Sequence, residues 1–137
     1  MICSPVLGGR PVRASAGLLG LVLASFCGLA AGAETVVTKA QWVEAMKTGL
    51  PVGFCKEGSY FRSCFRVSAE ECEDTSLSAT RVCLANLDDE LPAVFHQPHD
   101  GQRWGQKVGG CAGSTYETAH KSKKIASEPC KDMTRWK

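Results

Sequence analysis

No Cys-x-x-Cys pair occurs in this chain, although eight of its 137 residues are cysteine. That absence removes the usual thiol–disulfide exchange motif and the close ligand pairs typical of structural zinc sites. Gly-x-Ser-x-Gly, His-Glu-x-x-His and a phosphate-binding glycine loop are also missing, so no motif marks an enzyme. Nowhere does the chain present the roughly 20 consecutive apolar residues that a membrane-crossing helix needs. An excess of one charge sign is absent too once the first 33 residues are set aside. Arg10 and Arg13 lie within them, and the other 14 basic residues face 14 acidic ones. A neutral domain without a basic stripe offers no footing for nucleic acid or an anionic membrane surface. Repeats and low-complexity tracts are lacking, as expected of one domain over residues 34–137.

What is present begins with a leader. Arg10 and Arg13 form a positive start, Leu18 to Leu29 an apolar core, and Ala31-Gly32-Ala33 a small-x-small cleavage pattern. Residues 1–33 therefore read as a signal peptide, with Glu34 first in the mature chain. An uncleaved anchor is the rival, and the short core argues against it. Phe26 before Cys27 argues against a lipoprotein. Export makes the protein periplasmic or secreted, and Cys3 and Cys27 leave with the leader. Six cysteines remain, an even number in a small exported domain, which reads as a disulfide framework.

Helical spacing dominates the remainder. Thr38 and Gln41 make a capping box ahead of Trp42, Val43, Met46 and Leu50, and Gly49 and Pro51 predict a stop near residue 48. Ser68 and Glu71 form a second box, followed by Ala69, Cys72, Ser76, Thr80, Cys83, Leu84, Leu87 and Leu91 at a 3.6-residue period. Glu70, Glu71, Glu73 and Asp74 suit the positive end of that helix as a solvated face. A third helical stripe runs from Trp104 through Val108, Cys111, Ala112, Thr115 and Ala119. The expected fold is all-α, a disulfide-stapled bundle of about four helices with almost no sheet.

Cysteine spacing suggests a pairing. Cys72 and Cys83 are separated by about 1100° of helix rotation and about 16.5 Å of rise, so they share a face yet cannot bond each other. Folding the preceding segment back as a hairpin sets Cys64 opposite Cys72 and Cys55 near Cys83, leaving Cys111 for Cys130. Six cysteines permit 15 pairings, and a regular helix would put Cys55 and Cys64 on opposite faces, so Cys55 precedes the regular part or Gly58 breaks it.

Three features are candidates for function. Gly105, Gly109 and Gly113 form a face without side chains, suited to close packing inside the domain or to a homodimer, unless they break the helix. His96-x-x-His99-Asp100 holds metal-ligand types, but Pro98 interrupts it and Asp100 reads better as an N-cap. Neither a metal nor another cofactor is therefore expected. The connection from Phe95 to Trp104 is the best contact surface for a protein partner, through Phe95, His96, His99, Arg103 and Trp104, since aromatic and arginine side chains dominate binding hot spots.

A small exported helical domain, the cysteine-rich segment around Phe54-Cys55 and Cys64-Phe65, and the later Gly109-Gly110-Cys111 helix together resemble periplasmic immunity proteins of type VI secretion amidase effectors. The resemblance covers about Lys39 to Cys130 and implies a helical, non-enzymatic inhibitor, open to dimerisation, that plugs the cleft of a peptidoglycan amidase. It carries over no individual inhibitory residue. An envelope structural or assembly adaptor without a toxin partner is the alternative, and a small hydrolase or metal-binding protein a third.

Overall fold

The computed structural model describes residues 35–136. The predicted leader, and Glu34 as the first mature residue, lie outside the described residues. In chain order come β1 (Thr35–Thr38), α1 (Lys39–Cys55), α2 (Tyr60–Ser63), α3 (Ala69–Asn86), β2 (Val94–Gln97), α4 (His99–Ala119) and α5 (Glu128–Lys131), with 3-10 turns at 121–123 and 133–135. The domain is predominantly helical. Its three long helices, α1, α3 and α4, carry the core, and α2 and α5 are single turns. Among the described residues no helix is long and apolar enough to cross a membrane.

Both predicted caps form, the first as a complete capping box and the second through the serine hydroxyl. Thr38 Oγ1 accepts the Gln41 backbone N–H at 3.3 Å, while Gln41 Oε1 accepts the Thr38 N–H at 2.9 Å. Ser68 Oγ accepts from the Glu71 N–H at 3.0 Å and opens α3. Two helix ends differ from expectation. α1 runs through Gly49 and Pro51 to Cys55. Proline forfeits one backbone hydrogen bond there, but Pro51 is buried and the following turn packs Phe54 and Cys55 inward. α3 stops at Asn86 rather than near Leu91. Asp88, Asp89 and Glu90 would stand at the negative end of the helix dipole, where anions are disfavoured.

A two-stranded antiparallel sheet, missed by the helical reading, pairs Val36 with His96 and Val37 with Phe95. Val37 and Phe95 point at the helices, whereas Val36 and Val94 are exposed. Each strand is only four residues long, so neither displays a sustained period-2 pattern.

α3 lies between α1 and α4 and runs antiparallel to both. Lys39 near the start of α1 bonds Asp88 just beyond α3, and Lys107 on α4 pairs with Glu90. At the other end His120, capping α4, meets Thr75 and Glu71 in the first turns of α3. Two core clusters result. One joins Trp42, Ala79, Leu84, Leu91, Phe95, Trp104 and Val108; the other joins Tyr60, Phe61, Phe65 and Tyr116 to four of the cysteines.

All six cysteines among the described residues are bridged, but in none of the predicted pairs. Cys55 bonds Cys72, Cys64 bonds Cys130, and Cys83 bonds Cys111. The shared face of Cys72 and Cys83 is real, since both are fully buried on α3. What fails is the hairpin. α1 continues to Cys55 antiparallel to α3, so its end arrives beside Cys72 and never reaches Cys83. Cys83 faces α4 instead. Cys64 follows the α2 turn, where Phe65 pairs with Lys124 and directs the chain toward the C-terminal segment carrying Cys130.

Candidate functional site

The predicted contact loop divides between core and surface. Phe95 is fully buried, stacked on Trp42 with ring centroids 4.4 Å apart. It is removed from any contact surface because its strand turns it toward α1. Trp104 is also buried, beneath Lys107, whose Nζ lies 4.4 Å from the ring centroid, and near Arg103 at 5.5 Å. His96, His99 and Arg103 are exposed. Asp100 lies inside α4 and is not its N-cap; its carboxylate accepts the His96 backbone N–H at 2.8 Å, and Pro98 holds the capping position. Among the described residues no group of three or more His, Cys, Asp and Glu side chains converges on a metal position.

Beside those exposed residues lies a cleft of about 470 Å³ between α1, the end of β2 and the start of α4. Trp42, Val37 and Ala45 form its apolar floor, and Gln41, Gln97 and Gln102 supply amide donors and acceptors. A Cβ on Gly101 would sit 2.0 Å from the Gln97 amide oxygen, so any larger residue there would make the Gln97 side chain swing aside and change the rim. The sequence pointed at this loop but not at the cleft, whose floor belongs to residues some 50 positions earlier along the chain.

The glycine face is spent largely inside the domain. α4 runs unbroken through it. A Cβ on Gly113 would meet Phe61 Cζ at 3.0 Å, and one on Gly109 would touch Leu50 at 3.8 Å, whereas Gly105 has open space.

Two further features had no signal in the sequence. One is a polar network around His120, which is buried: Nε2 lies 3.0 Å from Thr75 Oγ1 and Nδ1 4.0 Å from Glu71 Oε1. Lys123 bonds the same Glu71 carboxylate and, chiefly through that bond, holds it below the usual carboxylate range. Tyr116 packs edge-on to His120 at 4.7 Å. Its hydroxyl is fully buried with no hydrogen-bond partner among the described residues, and burial first, the Glu71 charge second, push its pKa up to about 12.

The other is an aromatic cleft of about 480 Å³ between the end of α1 and the C-terminal segment. Tyr60, a wall of that cleft, donates its hydroxyl to Glu117, and burial and this bond raise its pKa.

Helical layering and three bridges define a small, disulfide-closed helical domain. A family model described as T2SS substrate NttA matches residues 36–124, and the chain belongs to that family. No curated protein and no solved structure matches the chain. The matched segment contains α1 to α4 and the polar network, and ends before Cys130, Met133 and Trp136.

Proposed function

We propose that this chain is a substrate of the type II secretion system that acts outside the inner membrane by binding a protein partner, without catalysis. The family's description supports the secretion part. One observation carries the binding part: the cleft floored by Trp42 and rimmed by Gln41, Gln97 and Gln102, flanked by exposed His99 and Arg103. An apolar floor supplies buried area, and amides at the rim supply direction without a net charge to desolvate. Arg103 adds the residue type most often found at energetic centres of interfaces.

The test compares a strain with an intact type II system and one lacking it. Wild-type protein is expected in the culture medium of the first and in the periplasm of the second. Equal release by both overturns the secretion part. Partner capture is then compared between wild type and Gln102→Arg, which blocks the cleft without touching the core. Loss of the partner in the variant supports the cleft, and unchanged capture overturns it. Retention in the periplasm of both strains, with protection against a peptidoglycan amidase, would favour the immunity-type inhibitor instead. Retention with an envelope assembly captured and no toxin would favour the adaptor.

A further inference from the structure

We propose that the aromatic cleft at the C-terminal end of α1 is a binding site for a neutral saccharide. It lies at the other end of α1 from the amide-rimmed cleft and does not rest on the function proposed for that surface.

The two walls differ in chemistry. Half-buried Phe54 and Trp136 and exposed Met133 line it over the buried rings of Tyr60 and Phe61. Met133 is 52% exposed although it lies among aromatic rings. The turn at 56–58 forms the opposite rim, with Gly58 at φ +78° bringing the backbone round tightly. Lys56 and Glu57 stand on that rim. Both are exposed, and neither side chain makes a hydrogen bond or ion pair with any described residue. One ammonium and one carboxylate, from adjacent residues of the same rim, offer donors and acceptors with no net charge.

A sugar ring matches that pattern. One face presents C–H groups, which pack on the electron-rich faces of aromatic rings. Its edge carries hydroxyls, each able to donate and accept. A phosphate or sulfate would meet the Glu57 carboxylate as well as the Lys56 ammonium, and a purely apolar ligand would make no use of either. The volume falls within the roughly 300–1,000 Å³ of ordinary ligand sites.

The site is also held in place before any ligand arrives. Cys130 is tied to Cys64, Asp132 accepts the Thr134 N–H at 2.9 Å, and the Trp136 indole N–H donates to the Pro129 carbonyl at 2.8 Å. Tyr60 and Trp136 meet edge to face at 6.1 Å. Restraints of this kind lower the ordering cost of binding. Every residue of the tail wall lies beyond the segment matched by the family, so this cleft is built from a family scaffold and a tail outside the match.

Triacetylchitotriose, cellotriose and maltotriose are titrated separately into the oxidised protein, followed by calorimetry and by tryptophan fluorescence. At least one is expected to saturate with a Kd of about 0.1–1 mM. The acetylated and plain sugars distinguish an amino-sugar polymer from a plain glucan as the source. Trp136→Ala should weaken binding at least about tenfold, and Glu57→Gln about threefold, while Gln102→Arg leaves it unchanged. Circular dichroism and the intact bridges check folding of Trp136→Ala, and Glu57→Gln alters only an exposed side chain. No saturation by any of the three sugars up to about 10 mM overturns the proposal. Equal binding by wild type, Trp136→Ala and Glu57→Gln overturns it as well.

Discussion

The two ends of this small domain are held by different means. At the sheet end, Trp42 stacks on Phe95 over Leu84, Leu91 and Val108, and only the Cys83–Cys111 bridge joins that cluster. At the tail end, two bridges, Cys55–Cys72 and Cys64–Cys130, sit among edge-to-face rings that link Phe61, Phe65, Tyr116 and His120. The sheet end needs a conventional oily core because it joins strands far apart in sequence. The tail end must fix short segments, α2, α5 and the 3-10 turns, which bury too little to stay ordered alone. Cross-links replace area where area is scarce.

That contrast can be broken from either side. Replacing Trp42 by alanine should cost about 3–5 kcal/mol, measured by denaturant unfolding, because the site cannot collapse around a stacked ring. Replacing both Cys64 and Cys130 by serine opens a loop of separation 66 and should cost about 4 kcal/mol, against about 3 kcal/mol for the Cys55–Cys72 pair with separation 17. Equal costs would show that strain or residual order, not loop entropy, sets their value. Tyr116→Phe should stabilise the tail end by about 1 kcal/mol, since it removes a buried hydroxyl without a partner. A loss of stability would mean that the hydroxyl is bonded after all.

The same tyrosine gives a pH signature. Its pKa is raised from 10.0 to about 12 in the folded protein. The folded state therefore holds its proton where the unfolded chain loses it. Stability should be full below pH 10 and fall as pH rises from 10 toward 12, with the Tyr116→Phe variant falling less. The smallest expected effect belongs to the surface: Lys39→Ala, which breaks the exposed pair with Asp88, should cost under about 1 kcal/mol.

Local chemistry was legible in the sequence, and long-range geometry was not. Thr38 with Gln41 and Ser68 with Glu71 announced the starts of α1 and α3, since a cap is decided within four residues. The exported, disulfide-bonded class followed from six cysteines behind a segment that reads as a leader. The pairing depended on where α1 ends. Pro51 signalled a stop that burial of Pro51, Phe54 and Cys55 overrode, and that shift of one helix end reassigned all three bridges. Phe95 illustrates the same limit in the candidate site: an aromatic residue in a loop composition looked like a contact, yet pairing with Val37 turned it inward. Gln41 and Trp42 contribute to the amide-rimmed cleft through the packing of α1 alone. Met133 and Trp136 become a cleft wall through the bridge from Cys130 to Cys64 and the contact of Trp136 with Tyr60.

Regional hydrogen exchange, compared between oxidised and fully reduced protein, measures the division of labour itself. On reduction, amides of α2, the end of α4 and the tail should lose protection, while those of β2 and the first turns of α1 keep most of theirs. Uniform loss across the chain, or loss confined to the strands, would contradict a domain fastened by sulfur at one end and by packing at the other.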